Sequence, residues 1–90
     1  MKIEKTKSFL RSLKGRSDIE LQSVGRAMHA ATEAFGQPHR HTGISIRRLG
    51  KNLFECRAGL DLRLLFMSGP GILTFKFAGT HDDVQAYLKR

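Results

Sequence analysis

At 90 residues and 10.1 kDa the chain is about the size of one small domain, which leaves room for a single compact core. Hydrophobic residues make up 40% of it and are spread along its whole length, which is typical of a folded globule and excludes a disordered tail. Sixteen Lys and Arg against eight Asp and Glu give a formal net charge of +8, so nucleic acid is the first class of partner to consider.

The distribution of charged and apolar residues further limits the classes of protein to which the chain can belong. Residues 1 to 51 carry eleven basic and only four acidic side chains, which predicts one strongly positive side. No apolar run approaches the roughly 18–20 residues of a membrane span, and the first residues lack the apolar stretch of a signal peptide. The one cysteine, Cys56, can form no internal disulfide and no cysteine-rich metal site. We therefore expect a single cytoplasmic domain over residues 1–90, with no metal, no cofactor and no membrane contact.

A short edge strand, Lys2–Lys5, precedes two predicted helices. Thr6 is suited to cap the first helix, and Gly15 ends it, since glycine commonly closes a helix. The apolar side chains of this helix recur at helical spacing, at Phe9, Leu10 and Leu13.

The second predicted helix is longer and begins at a capping box. Ser17 and Glu20 stand at the spacing at which each side chain accepts from the backbone N–H of the other residue. One face of the helix carries its apolar residues, Leu21, Val24, Met28, Ala31 and Phe35. Gly36 and Pro38 stop it, and residues 37–43 form a loop.

After residue 43 the apolar period changes from helical to alternating, which predicts four strands. They cover residues 44–49, 53–58, 62–67 and 72–78, and the short links between them indicate an antiparallel meander. Thr80 then suits the cap of a short last helix, with Asp82 and Asp83 in its first turn. The order predicts an α+β fold, in which two N-terminal helices pack on a mainly antiparallel four-stranded sheet with the short N-terminal strand at its edge.

The length of the turn after residue 58 decides which side chains share a face of the sheet. A two-residue turn would pair Arg57 with Leu62 and mix polar and apolar residues on both faces. A three-residue turn, residues 59–61, pairs Arg57 with Arg63 and leaves one face apolar. That face comprises Phe54, Cys56, Leu62, Leu64, Phe66, Leu73, Phe75 and Phe77. We therefore predict the three-residue turn.

The opposite face then carries Glu55, Arg57, Arg63, Thr74 and Lys76. Two arginines directly opposed across strands repel each other, by a few tenths of a kcal/mol up to about 1 kcal/mol when exposed. An anion between them removes this repulsion, and guanidinium groups bind phosphate bidentately. The alternative is a solvated polar face in which Glu55 neutralises Arg57.

The residues from Leu53 onward resemble those of the RelE/ParE superfamily of toxins from toxin–antitoxin systems. Members of the superfamily have, in this order, a strand ending in an E-x-R unit, an arginine-bearing strand, an apolar strand and an H-D-x-V helix. This chain has the same order: Glu55 and Arg57 form the E-x-R unit, Arg63 lies on the next strand, and the H-D-x-V helix begins at His81. The segments LRSLKG and HTGISIRRLG also stand where the superfamily has a helix and a strand, so the resemblance covers nearly the whole chain. It implies a ribosome-dependent mRNA interferase that needs no metal, with a cognate antitoxin whose acidic segment covers the toxin.

The resemblance also implies roles for individual residues. Arg63 matches the arginine that stabilises the reacting phosphate, Arg57 the basic position on the preceding strand, and Tyr87 the C-terminal aromatic residue. Cleavage by attack of the 2′-OH needs a base and an acid, and Glu55 is the candidate base and His81 the candidate acid. Some members have lysine in place of Glu55, so the identity of the base stays open. Contacts to RNA phosphates are predicted for Lys7, Arg11, Lys14, His39, His41, Arg47, Arg48, Lys51 and Lys76.

Two other functions remain alternatives. Some members of the superfamily inhibit DNA gyrase and do not cut RNA, but the set of Arg57, Arg63 and His81 favours RNA cleavage. The other alternative is a non-catalytic RNA-binding module similar to a double-stranded-RNA-binding domain. Such a domain has a lysine cluster at the start of its last helix, where this chain has His81, Asp82 and Asp83.

Overall fold

The computed structural model describes residues 1–35 and 45–90, which build one five-stranded sheet and the helices that cover it. The elements are β1 (Lys2–Lys5), α1 (Lys7–Ser12), α2 (Asp18–Ala34), β2 (Arg47–Arg48), β3 (Leu53–Ala58), β4 (Leu62–Gly69), β5 (Ile72–Gly79) and α3 (His81–Leu88). The strand order is β1-β5-β4-β3-β2, with β1 parallel to β5 and the other neighbours antiparallel. The predicted α+β fold is confirmed, with the N-terminal edge strand as the fifth strand.

The two N-terminal helices begin at the capping residues that the sequence predicts. The Thr6 Oγ1 atom accepts a hydrogen bond from the backbone N–H of Phe9 at 3.1 Å. Ser17 and Glu20 form both halves of the predicted capping box, each bond being 3.1 Å long. These bonds satisfy N–H groups that the start of a helix otherwise leaves without a partner, which is why the helices begin there. Within the described ranges, no helix combines the length and the apolar composition needed to cross a bilayer.

The ladder between β3 and β4 has the predicted register. Arg57 pairs with Arg63 and Phe54 pairs with Phe66, which leaves a three-residue turn over residues 59–61. Gly59 opens this turn with a φ of 76°, a left-handed conformation that glycine adopts without the steric cost of a side chain. Because side chains alternate along a strand, the register separates an apolar face from a face that carries the charged residues.

The main core lies between the apolar face of the sheet and helices α1 and α2. Its buried members are Phe9, Val24, Ala27 and Ala31 from the helices, and Cys56, Ala58, Leu62, Leu64, Phe66, Leu73, Phe75 and Ala78 from the sheet. The ring centroids of Phe66 and Phe75 are 5.3 Å apart at its centre. Burying a large apolar side chain contributes about 1.5–3 kcal/mol, so this face dominates the stability of the fold.

One residue predicted for this core, Phe77, lies on the other face of the sheet. Leu65 pairs with Phe77 whereas the next residue, Phe66, pairs with Phe75, so Lys76 is an extra residue in β5. The extra residue is a β-bulge, which interrupts the alternation of side chains. Phe75 and Phe77 therefore point to opposite faces, and the prediction for Phe77 was wrong.

Helix α3 covers the second face of the sheet at β4 and β5. The Phe77 ring stacks on the ring of Tyr87, with centroids 4.7 Å apart and planes inclined by 20°. Leu65 and Val84 are fully buried but lie outside the main core cluster. The second face is therefore apolar towards β5, under α3, and charged towards β3.

The strand predicted over residues 44–49 is shorter in the described part of the chain. Strand β2 comprises only Arg47 and Arg48, paired with β3. Ser45 has a φ of 55°, a left-handed conformation that an extended strand does not accommodate. Several predictions fall outside the described residues, namely the helix stop at Gly36 and Pro38, the loop over residues 37–43 with His39 and His41, and Ile44.

Candidate active site and nucleic-acid interface

Glu55 is a buried carboxylate on the charged part of the second face, with only 3% of its side chain exposed. Its Oε1 atom lies 3.3 Å from Nη2 of Arg47 and 4.0 Å from Nη1 of Arg63. Its Oε2 atom has no hydrogen-bond partner among residues 1–35 and 45–90. Glu55 therefore offsets the charges of Arg47 and Arg63, which lie on its two neighbouring strands. The alternative drawn from the sequence had Glu55 neutralise Arg57.

Arg63 and His81 line the same surface cleft, which we call the Arg63 cleft. It has a volume of about 380 Å³ and is lined by Leu60, Asp61, Arg63, Thr80, His81 and Asp82. The Arg63 side chain is 27% exposed, and His81 is exposed. The cleft thus combines a guanidinium, an imidazole and two carboxylates, groups that bind a phosphate and transfer protons.

The position of His81 depends on the cap of α3. The Thr80 Oγ1 atom accepts from the N–H of Asp83, and the Asp83 carboxylate accepts from the N–H of Thr80, both at 3.1 Å. The hydrogen bond from the Thr80 backbone lowers the pKa of Asp83, because it stabilises the ionised carboxylate. A Cβ at Gly79 would lie 2.7 Å from the Asp83 Cβ, so this approach of strand and helix needs glycine. Since His81 is the first residue of α3, these contacts hold its backbone at the edge of the Arg63 cleft.

Arg57 is the cross-strand partner of Arg63 but lines a different cleft. This cleft, which we call the Arg57 cleft, has a volume of about 360 Å³ and lies between α2 and β3. It is lined by Ser23, Arg26, Ala27, Ala30, Ser45, Arg57, Ala58 and Gly59. The expectation of one pocket shared by Arg57 and Arg63 is therefore replaced by two adjoining clefts, one lined by residues of α2 and β3 and the other by residues of β4 and the start of α3.

No family model matches the chain, and no curated protein matches it in sequence. Solved structures do match it, among them the DinJ–YafQ complex of E. coli, with a TM-score of 0.70 and 18% identity over 91% of this chain and 94% of that chain. The archaeal RelE–RelB complex from Pyrococcus horikoshii OT3 has a TM-score of 0.69 and 10% identity, over 88% and 92%. A copper-bound mutant toxin from Helicobacter pylori has a TM-score of 0.67 and 18% identity, over 93% and 98%. The chain has a RelE-like fold.

In this RelE-like fold, Tyr87 lies on the same helix as His81, about 9 Å farther along its axis. Its half-buried ring lies against Phe77, and the Arg90 guanidinium lies over it at 5.4 Å from the centroid. Tyr87 is not among the residues that line the Arg63 cleft. In the structure the contact of Tyr87 with Phe77 attaches α3 to the sheet.

Three of the basic residues predicted to bind RNA have partners in the sheet or in the turn before β3. Arg47 is paired with Glu55, as described above. The guanidinium of Arg48 donates to the carbonyl oxygens of residues 50 and 51 at 2.9 and 3.0 Å, which closes the turn before β3. The Nζ atom of Lys76, the bulge residue, lies 3.7 Å from Sδ of Met67.

The remaining predicted contacts are more dispersed. Lys7, Arg11 and Lys14 are exposed in and just after α1, which packs against β5 from the side of the main core. Lys51 is exposed in the turn before β3. None of these four residues is among those that line the Arg63 cleft, and His39 and His41 fall outside the described residues.

Sequence reasoning missed three charged residues of the two clefts. Asp61 and Asp82 line the Arg63 cleft, and Arg26 lines the Arg57 cleft. The available signals were the turn position of Asp61, the place of Asp82 next to His81, and a run of small residues around Arg26 on α2. Among the described residues, no group of three or more His, Cys, Asp or Glu side chains is arranged to hold a metal ion.

Proposed function

We propose that this protein is the toxin of a toxin–antitoxin pair, and that it is a metal-independent endoribonuclease that cuts mRNA on the ribosome. The observation that carries the proposal is the Arg63 cleft, in which an arginine and a histidine come together from β4 and the start of α3. The net charge of +8 supports a polyanionic substrate. The solved structures with this fold include toxin–antitoxin complexes, which supports an antitoxin partner.

The reaction in this proposal is attack of a ribose 2′-oxygen on the adjacent phosphorus, with breakage of the bond to the 5′-oxygen. Charge accumulates on the phosphate oxygens in the transition state, and the Arg63 guanidinium stabilises it. His81 donates a proton to the departing 5′-oxygen. The products are a cyclic 2′,3′-phosphate and a free 5′-hydroxyl, so the proton lost by the 2′-OH must pass to a base.

The burial of Glu55 bears on the choice of base. Its free oxygen, Oε2, is buried, and the other oxygen faces Arg47 and Arg63. We therefore assign Glu55 to positioning Arg63. Asp61 and Asp82 are exposed carboxylates of the Arg63 cleft, and in this proposal one of them takes the proton of the 2′-OH.

The proposal extends to partners and location. The chain works as one domain in the cytoplasm, where the ribosome and mRNA are available. A cognate antitoxin covers the positive surface with an acidic segment. The Arg63 cleft favours RNA cleavage over gyrase inhibition and over non-catalytic RNA binding, because neither alternative needs an imidazole next to a phosphate-binding arginine.

Expression in growing cells tests this function. Wild type is compared with Arg63→Ala and with Lys89→Gln, which removes one positive charge at the exposed end of α3. We expect growth arrest and new mRNA 5′ ends with wild type and Lys89→Gln, and neither with Arg63→Ala. Identical growth and identical transcripts in all three strains would reject the proposal.

A further inference from the structure

The Arg57 cleft brings together two arginines from different elements. Arg26 extends from α2 and Arg57 from β3, and both residues are exposed. The other lining residues are small, which leaves the space between the two elements open. An exposed cleft of this size with two guanidinium groups suits a compact anion.

Neither arginine has a counter-ion among residues 1–35 and 45–90. The one polar contact of Arg26 there is a 3.4 Å hydrogen bond from its Nη2 to Oγ of Ser23, and Arg57 forms no ion pair. By contrast, Arg16 is 3.6 Å from Glu20, and Arg47 is paired with Glu55. The donors of Arg26 and Arg57 are thus available, and guanidinium donors match the oxygens of a phosphate.

The Arg57 cleft is connected to the Arg63 cleft over the turn between β3 and β4. A third cavity of about 280 Å³ lies between them. It shares Ser23, Ala58 and Gly59 with the Arg57 cleft, and Leu60 and Asp61 with the Arg63 cleft. The three cavities therefore form one continuous groove.

The middle of this groove is suited to a nucleoside and not to a phosphate. Leu60 is 96% exposed and Ile19 is 74% exposed, so two apolar side chains border it on the solvent side. Glu20 also lines the middle of the groove. Its carboxylate accepts a hydrogen bond from the Ser17 N–H and lies near Arg16, and the hydrogen bond from the Ser17 backbone lowers the pKa of Glu20, which favours the charged carboxylate. Apolar side chains contact the flat face of a nucleobase, whereas a carboxylate repels a phosphate.

We propose that the Arg57 cleft binds a second phosphate of the single-stranded RNA, next to the phosphate that is cleaved in the Arg63 cleft. This inference rests on the proposed function and adds a subsite to it. The nucleoside between the two phosphates crosses the turn at Leu60. Since Arg57 and Arg63 are direct cross-strand partners, the two phosphate sites lie side by side. The protein accordingly recognises at least two successive phosphates of one strand.

NMR titration of the ¹⁵N-labelled full-length protein with 2′-O-methyl RNA tests the subsite, because the blocked hydroxyl allows binding without cleavage. A dinucleotide offers one internal phosphate and a trinucleotide offers two. We expect only the trinucleotide to shift the amide signals of Ser23, Arg26 and Arg57. Its log affinity should fall with log salt concentration more steeply, by about 0.7, which is the contribution of one phosphate of a single strand.

Arg26→Gln separates the subsite from the catalytic cleft. We expect it to lower the affinity for the trinucleotide to that for the dinucleotide, and to leave dinucleotide binding unchanged. Lys89→Gln removes the same charge elsewhere and should change neither affinity. The amide spectrum of each variant confirms that it is folded.

Three results would overturn the inference. The first is equal trinucleotide affinity of wild type and Arg26→Gln, and the second is no binding of either oligonucleotide by wild type. The third is loss of binding to an acidic antitoxin peptide in Arg26→Gln with RNA binding unchanged, which would assign the cleft to a protein partner. None of these results alters the outcome of the cell assay with Arg63→Ala, which tests the proposed function separately.

Discussion

The Oε1 atom of Glu55 lies 4.0 Å from Nη1 of Arg63, on the neighbouring strand, while the Glu55 side chain is almost wholly buried. In the proposed function, the carboxylate therefore influences the RNA through Arg63 without touching it. It contributes to the orientation of the guanidinium and offsets part of its charge. The geometry favours a role for Glu55 in positioning Arg63 over a role as the base. The two roles predict different kinetics.

We predict that Glu55→Gln lowers the cleavage rate about 10- to 100-fold, because the guanidinium loses its orientation. The free energy of unfolding should change by no more than about 1 kcal/mol, since the stronger ion pair is to Arg47, whose side chain is 61% exposed. Cleavage assays and urea unfolding measure the two effects. In a double-mutant cycle, Glu55→Gln should cost nothing further once Arg63 is alanine. Additive losses would show that Glu55 acts independently, as a base does.

His81 is predicted to act as the acid for the departing 5′-oxygen. We expect His81→Gln to lower the cleavage rate about 10²- to 10⁴-fold on ordinary RNA. A substrate with sulfur in place of the bridging 5′-oxygen has a leaving group that needs no proton, so His81→Gln should cleave it nearly as fast as wild type does. Arg63→Ala is the matched control, because loss of a phosphate contact should slow both substrates. Equal loss on both substrates in His81→Gln would contradict the assignment.

Gly79 and Gly25 should respond to alanine in opposite directions. A Cβ at Gly79 would lie 2.7 Å from the Asp83 Cβ and 2.9 Å from the Phe77 ring, so Gly79→Ala displaces the start of α3. We predict a loss of about 1–3 kcal/mol in the free energy of unfolding. Gly25 lies within α2, where no atom of the described residues comes within 4 Å of an added Cβ, and Gly25→Ala should stabilise by about 0.5–1 kcal/mol. Urea unfolding followed by circular dichroism measures both changes, and equal effects would contradict the packing at Gly79.

The cap of α3 should make stability depend on pH at the acid end. The pKa of Asp83 is lowered in the folded chain, chiefly by the hydrogen bond from the Thr80 backbone. Its contribution to stability is therefore complete above its ordinary pKa of 3.8 and is lost as the pH falls through the lowered value. We predict that wild type and Asp83→Asn differ in unfolding free energy near neutral pH and converge in acid. Unfolding curves from about pH 2 to 7 test this, and a difference that stays the same in acid would contradict the role of the cap.

Cys56 should be unreactive in the folded protein. Burial, together with the smaller effect of the neighbouring Glu55 charge, raises the pKa of its thiol to about 12. Since the thiolate is the reactive form, we predict that a disulfide reagent modifies Cys56 slowly in the native state and rapidly in urea. Absorbance of the released thiolate follows the reaction. Rapid modification of the native protein would show that the sheet around Cys56 opens readily.

Local chemistry allowed much of the fold to be predicted. The Ser17 capping box and the Thr6 and Thr80 caps depend on residues within one helical turn, so short spacings in the sequence specify them. The pairing of Arg57 with Arg63 also followed, because one turn length alone separates polar from apolar side chains over both strands.

The bulge at Lys76 was not predictable in the same way. Phe75, Lys76 and Phe77 read as a regular alternation, and nothing in their composition signals an extra residue. The bulge places the Phe77 ring against Tyr87, which is ten residues farther along the chain and on another element. The alternation of apolar and polar residues compares positions two apart, so it contains no information on a contact between residues ten apart.

By itself, the sequence determined where the helices begin, how the β3–β4 hairpin pairs, and that the molecule is positively charged, because these properties depend on neighbouring residues or on composition. The tertiary structure alone decided that Glu55 is buried between two arginines, that Arg63 shares a cleft with His81, and that Arg57 meets Arg26 in another. These arrangements depend on how α2 and α3 lie against the sheet. Packing between segments distant along the chain sets that geometry, and it also divided the expected single site into two clefts.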